Sequence, residues 1–446
     1  MKKVLFIATE YPPLATTGVY RSLKFTKYLY QFEVDPIVVT LTKESSFDIF
    51  GKIVDNSLLT EIPKSTVIHR IPCNSIKPYF SNKFKEFVNI YFSINDIIGR
   101  VWKKEFNIHI ENIIETEKPT VIYTSLPPFS IGKLVTKIAL KHRIPLIIDM
   151  RDGWLTWRTA PFGSYLHYLL TKREERYIFE NADAVIGTTK ELLEIFKYDH
   201  PMIDRNKFHW IPNGYDCSLI HKGLLLKKYN PKEKLKIGYV GSFYYSPKGQ
   251  QDLNTPWWKK KGHKILQYIA VKEDWFYRSP YFFLLTIKRI IEKHPHLSSY
   301  IELHFVGKKP EWIDSMIQSI GINAAITFHG WLCQTDCRDL LSTFDAVFVT
   351  AAKRIGGVDW ALPSKVFDYI SAQKFIFAMV PSSATRNFIL NTNTGVVLDP
   401  DNIDKAAIDL SNVILNGAKL SLNIDELQCY NRRNTAGKLS SIIYSL

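Results

Sequence analysis

Two stretches of the sequence place charged side chains directly after runs that are typical of strands and loops in α/β proteins. Asp149, Arg151 and Asp152 follow the apolar run 145–148. Carboxylates and a guanidinium at the carboxyl end of a buried strand cost free energy unless they are paired or used. This cluster could orient or deprotonate a hydroxyl group, and the alternative is an Arg–Asp pair with a purely structural role.

The second stretch has the chemistry of an anion site. Pro363-Ser364 is predicted to open a helix, whose first N–H groups and dipole favour negative charge, and Lys365 adds a full positive charge. Asp368, one turn later, could accept hydrogen bonds from sugar hydroxyls. The alternative is a serine N-cap with a surface Lys–Asp pair, although Phe367 stands where a capping box has Glu or Gln.

Glycines after predicted strands are further candidates. Gly241 ends the run 235–241 and is followed by Ser242, and such a glycine lets a ligand approach the backbone, although it is also common in ordinary α/β turns. Gly18 and Arg21 lie in a loop that follows the first predicted strand and could face a substrate. The sequence has no G-x-G-x-x-G, Walker A, H-E-x-x-H or G-x-S-x-G motif, so these site types are not predicted.

Short apolar runs alternate with helical patterns along the whole chain, which predicts βαβ units and parallel sheets. The predicted strands form two series, 4–8, 36–40, 67–71, 120–124, 145–149 and 184–187, then 235–241, 301–306, 326–328, 346–350 and 375–380. We therefore expect two doubly wound α/β domains joined near 212–232, with an amphipathic helix over 425–446. Ligands of such sheets lie at the carboxyl ends of the strands.

The composition narrows the function classes. The chain has 446 residues, 46% hydrophobic, with a net charge of +15 that is spread along the sequence, so phosphorylated ligands, an anionic membrane or nucleic acid are the expected partners. No apolar run is long enough to span a membrane. The first apolar run stops at Thr9-Glu10 and is predicted to be a strand, not a signal peptide. Five scattered cysteines predict neither a disulfide framework nor a zinc site.

Seven segments, in this order, resemble the family 4-like group of GT-B-fold glycosyltransferases. They cover nearly the whole chain and are 181–192, 211–216, 237–243, 304–312, 326–332, 363–380 and 393–402. The stretch DMRDGW, 149–154, is similar to a motif in members of the group that act in bacterial surface polysaccharide synthesis.

The resemblance implies two Rossmann-like domains facing across a cleft. Residues 1–215 would bind the acceptor, residues 216–424 the nucleotide-sugar, and the helix 425–446 would return to the first domain. The implied activity is transfer of a hexose from a nucleotide-sugar to a glycan or lipid-linked acceptor, in the cytoplasm, for polysaccharide or lipopolysaccharide biosynthesis. Members of the group are usually retaining and need neither a metal nor a cofactor.

Site residues carry over from the resemblance one by one. On the donor side they are Gly241, Ser242, Arg278, Gly307, Trp331, Ser364, Lys365 and Asp368. The family usually has an arginine where this chain has Ser242. It also has Lys-Gly at the start of the next helix, where Arg278 is preferred over Lys248, which makes 243–277 an insertion. Lys365 is the second cation. Trp360 stands at the first position of the family's E-x7-E pattern, and Asp359 is the nearest acid.

The acceptor side is assigned in the same way. The resemblance implies Asp152 beside the reacting centre, with Arg151 or Asp149 orienting it, and Gly18 and Arg21 at the acceptor. Asp152 would act as the base that deprotonates the acceptor, or it would only position the acceptor. The second role is open because the leaving phosphate of a retaining enzyme can itself assist deprotonation.

Two stretches that mix aromatic residues with lysines, 77–104 and 256–278, favour contact with an anionic membrane surface. The alternative is packed helices with solvated faces. Three other functions stay open: a sugar-nucleotide epimerase on the same fold, a catalytically inactive homologue, and a nucleic-acid-binding protein. The even spread of charge counts against nucleic acid.

Overall fold

The computed structural model describes residues 1–75, 83–92, 96–156, 161–216 and 223–446. The chain divides into two compact units. Unit 1 comprises Met1–Asn213, Pro256–Ala270 and Arg432–Leu446, and unit 2 comprises Gly214–Thr255 and Val271–Asn431. The expected mixed α/β class with parallel sheets is confirmed. The predicted domain bounds stay predictions, and they differ from these units in giving residues 256–270 to the second domain.

Unit 1 is built on a seven-stranded sheet in the order β3-β2-β1-β4-β5-β6-β7, and all of its pairs are parallel. The strands are β1 Lys2–Ile7, β2 Val34–Leu41, β3 Ile68–Ile71, β4 Val121–Leu126, β5 Leu146–Met150, β6 Ala184–Gly187 and β7 Phe208–Trp210. The helices are α1 Thr17–Leu29, α2 Lys43–Phe50, α3 Lys83–Phe92, α4 Ile98–Glu117, α5 Ser130–His142, α6 Tyr165–Asn181 and α7 Lys190–Asp199. The central strands are buried on both faces, which is why they are apolar without alternation.

Unit 2 repeats this architecture with a six-stranded parallel sheet in the order β12-β11-β9-β13-β15-β16. Its strands are β8 Gly223–Leu226, β9 Leu235–Val240, β10 Glu273–Asp274, β11 Ile301–Val306, β12 Ala325–Gly330, β13 Ala346–Thr350, β14 Lys353–Arg354, β15 Phe375–Met379, β16 Gly395–Leu398 and β17 Ala418–Ser421. Its helices are α8 Pro247–Asn254, α9 Tyr281–Lys293, α10 Ile313–Ile320, α11 Gln334–Ser342, α12 Lys365–Ser371, α13 Ala384–Thr392, α14 Ile403–Asn416 and α15 Ile424–Gln428.

The last predicted helix is two helices. The structure ends α15 at Gln428 and begins α16, Arg432–Ser445, four residues later. Between them the chain pairs with the segment at Tyr215: the N–H group of Tyr215 donates to the Tyr430 carbonyl over 3.1 Å, and Tyr215 forms a parallel bridge with Asn431. The prediction of one helix over 425–446 was wrong because a helical period does not reveal a short interruption fixed by distant backbone.

Helix α16 belongs to the core of unit 1. Its residues Ala436, Leu439 and Ile443 are fully buried in one cluster with Val4 and Phe6 of β1. None of the described helices is both long and apolar enough to cross a bilayer.

Candidate functional site

The carboxyl edge of the unit 2 sheet brings Lys365 to Gly241. Lys365 is the first residue of α12, and its Nζ atom lies 3.7 Å from the centroid of the Tyr239 ring. A Cβ atom on Gly241 would be 3.3 Å from this Nζ. The residue as a whole is partly exposed, but its ammonium is enclosed, and this desolvation lowers its pKa to about 7, while the charge of Asp368 acts in the opposite direction.

Glycines end three neighbouring strands at this edge. Gly241 and Gly307 follow β9 and β11, Gly330 ends β12, and all three have positive φ angles of 102°, 137° and 72°. Backbone hydrogen bonds link the row: Gly241 N donates to Val306 O over 2.8 Å, and Gly307 N donates to Gly330 O over 2.7 Å. A Cβ on Gly307 would lie 2.8 Å from the Gly241 carbonyl oxygen, so the close approach of these two loops requires a glycine.

Strand order explains why this edge is the candidate site. From β9 the chain adds β11 and β12 on one side of the sheet and then crosses over to add β13, β15 and β16 on the other. This reversal of strand order opens a crevice at the carboxyl end of β9. Gly241 is the residue at that point. The geometry therefore offers an enclosed ammonium and a side-chain-free backbone turn, which are suited to a phosphate group.

Arg278 lies in a different environment from Lys365. Its guanidinium carbon Cζ lies 5.7 Å from the ring centroids of both Tyr244 and Trp275, and its Nη2 is 3.8 Å from Asp359 Oδ2. Asp359 is buried. Its Oδ1 accepts a hydrogen bond from Ala361 N over 3.1 Å, and its carbonyl oxygen accepts one from Ala384 N over 2.7 Å. These bonds fix the turn before α12 and the beginning of α13. Arg278 thus contacts the acid that the resemblance singled out beside Trp360.

The other predicted donor residues are at or near the surface. Ser242, Ser364 and Asp368 are exposed, and Trp331, one residue past β12, is 78% exposed. Ser364 precedes α12 without a side-chain cap bond, so the alternative of a serine N-cap lacks its hydrogen bond. Their assignment to the donor stays a prediction.

In unit 1, Arg21 and Asp149 form a buried pair. Arg21 Nε and Nη2 donate to the two carboxylate oxygens of Asp149 over 2.7 and 2.8 Å, and Tyr123 Oη also donates to Asp149. The guanidinium further donates to the carbonyl oxygens of Ile211 and Pro212. Burial and the Asp149 charge raise the pKa of Tyr123. The sequence predicted Arg21 at the acceptor and Asp149 as a residue that orients Asp152. In the structure both side chains tie α1, β5 and the 211–213 loop together, and their predicted roles at the site stay predictions.

Arg151 points to a residue that sequence reasoning missed. Its Nη2 donates to Glu10 Oε1 over 2.7 Å and to the Pro127 carbonyl, and Thr16 donates to the other Glu10 oxygen. Any Cβ on Gly18 would clash with Arg151 Nη1 and Glu10 Oε1, so Gly18 makes room for this ion pair. Glu10 follows β1, and a charged residue directly after the first buried strand was the available signal. Asp152, the residue after Arg151 in the chain, is half-buried.

The described residues contain no group of three or more His, Cys, Asp or Glu side chains arranged to hold a metal ion. Of the predicted site residues, the structure brings together Gly241, Gly307 and Lys365 in unit 2, and Gly18 and Arg151 in unit 1.

Comparisons with known proteins agree with this architecture. Residues 77–219 match the model of Glycosyltransferase Family 4. None of the curated proteins searched matches the chain.

Among solved structures, the lipopolysaccharide outer core galactosyltransferase WaaB is similar over 99% of both chains, with 12% identity and a TM-score of 0.57. Anabaena HepE in complex with UDP is similar over 100% of both chains, with 11% identity and a TM-score of 0.56. Sucrose-phosphate synthase from Thermosynechococcus elongatus is similar over 100% of this chain and 99% of its own, with 12% identity and a TM-score of 0.58. The chain therefore has the GT-B glycosyltransferase fold, and its resemblance to the family 4-like group is confirmed.

Proposed function

We propose that this protein is a glycosyltransferase that moves a hexose from a nucleotide-sugar to a glycan or lipid-linked acceptor in cell-surface polysaccharide biosynthesis. The observation that carries the proposal is the Lys365 ammonium at the Gly241 turn, since departure of a nucleoside diphosphate builds negative charge that such a group stabilises. The Family 4 match over 77–219 supports glycosyl transfer.

The donor to test first is a UDP-hexose. HepE has been crystallised with UDP and with UDP-glucose, and WaaB is a galactosyltransferase, and both share the fold of this chain. We propose that Lys365 and the backbone at Gly241 hold the diphosphate without a metal, and that Asp368 contacts the nucleotide ribose. We also propose that Arg278 lies near the donor, where its contact with Asp359 keeps it in place.

In unit 1, we propose that Asp152 and Arg151 contact the acceptor. The charges of Asp149 and Arg21 already neutralise each other in the buried pair. We therefore propose that these two residues hold the carboxyl edge of the unit 1 sheet in place and do not contact the acceptor. The proposed reaction retains the anomeric configuration and takes place on the cytoplasmic side of the membrane, and the leaving phosphate assists removal of the acceptor proton.

The test is nucleotide release from a panel of nucleotide-sugars by the purified full chain, with and without a chelator. We expect UDP release from one UDP-hexose, unaffected by the chelator, and loss of at least about a hundredfold in Lys365→Met. Proton NMR of the product would show the anomeric configuration. Failure to bind or turn over any nucleotide-sugar overturns the proposal, an epimerised sugar in place of transfer would show an epimerase, and binding without turnover would show an inactive homologue.

A further inference from the structure

Unit 1 carries an exposed aromatic and aliphatic surface next to a cluster of lysines. Residues 256–270 contribute Trp257, Trp258, Ile265 and Leu266, all of them exposed, and the two tryptophans are 65% and 67% exposed. Helix α6 contributes Tyr165, Leu166 and Leu169, which are all exposed. Leu169 lies one turn after the other two, so the three side chains share one face of the helix. We call these seven residues, with Lys259, Lys260, Lys261 and Lys264, the Trp–Lys surface.

The two parts of the Trp–Lys surface are joined by packing. Phe162 and Tyr268 form an antiparallel bridge, with their N–H groups and carbonyls exchanging hydrogen bonds of 2.9 Å. The Tyr268 ring lies 4.9 Å from those of Tyr165 and Tyr168. The end of the segment 256–270 is therefore held against the beginning of α6 at Tyr268.

Helix α3, which also packs on α6, adds exposed aromatic area. Phe84 and Phe87 are both exposed, one turn apart on this helix. Single exposed apolar residues are ordinary, but exposed apolar residues concentrated on adjoining elements of one unit mark an interaction surface.

The charge of the segment shows what this surface fits. The sequence 256–272 contains five lysines and no Asp or Glu. Lys259 and Lys261 are exposed, directly after the two tryptophans. Tryptophan is favoured at the boundary between lipid headgroups and acyl chains, and lysine at an anionic headgroup layer. The pattern thus combines the two properties that bind a protein to an anionic bilayer surface.

Two other occupants fit less well. A second copy of the chain would meet this surface through a two-fold axis, which would set the lysine cluster against itself. Single-stranded nucleic acid would use the lysines and the tryptophans, but the aliphatic Ile265, Leu266, Leu166 and Leu169 offer no ring on which a base could stack.

We propose that the Trp–Lys surface docks the enzyme on an anionic lipid bilayer, with the tryptophans and aliphatic side chains at the headgroup boundary and the lysines on the phosphates. The docking inference is drawn from the exposed residues and lysines of this surface. It rests on the proposed function only for the purpose of docking, which is to bring the enzyme to a lipid-linked acceptor.

The experiment is flotation of the full chain with vesicles of phosphatidylglycerol and phosphatidylcholine, compared with phosphatidylcholine alone. We expect binding only to the anionic vesicles, reduced by salt. The variant K259Q/K260Q/K261Q should lower the partition constant about a hundredfold, at roughly fivefold for each lysine. The variant W257A/W258A should lower it at least about tenfold.

Two control variants remove the same number of lysines, or exposed apolar side chains, from places outside the Trp–Lys surface. K227Q/K228Q/K232Q removes the same charge from exposed lysines of unit 2, and Y198A/M202A removes exposed apolar side chains from α7 and the following loop. Both should bind vesicles as the parent does. Thermal unfolding of each variant checks that the fold is kept.

The result that overturns this inference is equal vesicle binding by the parent and by both surface variants, or no binding at all. Loss of a dimer, or of single-stranded RNA binding, in W257A/W258A without any vesicle binding would assign the surface to those partners and also overturn it. UDP release from a soluble donor is measured in parallel. If it persists while flotation fails, the proposed function stands and the docking inference alone falls.

Discussion

The Nζ atom of Lys365 lies 3.7 Å above the Tyr239 ring, and the place where a Cβ of Gly241 would be is 3.3 Å from the same atom. The ammonium is thus held over an aromatic face, and its neighbour Gly241 has no side chain to stand between it and a ligand. A bound anion could reach it there without displacing a carboxylate.

This placement predicts a pH dependence of UDP affinity. The pKa of Lys365 is lowered to about 7 by desolvation, and a diphosphate binds the charged form, so the bound pKa is higher. Affinity should be greatest below pH 7 and fall by up to about tenfold for each pH unit above it. Calorimetric titration with UDP measures this. Lys365→Arg, which stays charged, should flatten the profile, and an unchanged slope in that variant would contradict the prediction.

The same residue should lower the stability of the free protein. A lysine whose pKa is lowered by folding destabilises the fold fully below about pH 7, and the effect disappears as the pH rises towards the unfolded value of 10.5. Lys365→Met should therefore raise the free energy of unfolding, by on the order of 1 kcal/mol at pH 6 and less at pH 9. Denaturant unfolding at both pH values tests this, and a destabilised variant would argue against it.

Gly241 should not tolerate a side chain. Gly241→Ala combines a φ of 102° with a methyl group against the Lys365 ammonium, so we expect about 1–2 kcal/mol lower stability and loss of UDP binding. The matched control is Gly321→Ala, which has a φ of 66° and meets only Lys288 Nζ at 3.9 Å. It should lose similar stability and bind UDP normally. Normal UDP binding by Gly241→Ala would remove this turn from the donor site.

Asp149 and Asp152 should separate into a structural and a functional residue. Asp149→Asn leaves the buried Arg21 without its charged partner, and we expect about 3–5 kcal/mol lower stability. Asp152→Asn should lower the free energy of unfolding by less than Asp149→Asn does, and it should lose transfer to the acceptor while keeping UDP binding. Thermal unfolding and acceptor kinetics measure the two effects. A stable Asp149→Asn protein would contradict the structural role.

Glu10 should act as a positioning residue for Arg151. Glu10→Gln removes the charge that holds Nη2 at 2.7 Å, so the KM for the acceptor should rise roughly tenfold with the UDP affinity unchanged. Glu10→Asp should recover part of the loss, which a purely structural role would not produce. An acceptor KM equal to that of the parent in Glu10→Gln would refute it.

Much of the framework could be predicted because local sequence encodes it. The strands Ala184–Gly187, Ile301–Val306 and Ala346–Thr350 have the predicted bounds, since buried parallel strands are short apolar runs bounded by polar residues. The closeness of Gly241 and Lys365 also follows from sequence, because both lie where parallel strands have their carboxyl ends.

What the sequence did not reveal depends on contacts between distant residues. Glu10 and Arg151 are 141 residues apart, and nothing in either local pattern signals that they pair. The segment 256–270 joins unit 1 through Tyr268 and α6, although it lies within the sequence of unit 2. The pairs β8–β17 and β10–β14 have only two to four residues per strand, too few for a period to be recognised.

Helix α16 has a consequence for the order in which the protein is made. Unit 1 has its first strand at residues 2–7, yet its core also needs Ala436, Leu439 and Ile443. On the ribosome, every residue of unit 2 emerges before these three, so the C-terminal unit can complete its fold while the N-terminal one still waits, the reverse of the usual vectorial order. A nascent chain that stalls before residue 432 would leave an open hydrophobic groove beside β1, which chaperones would have to shield.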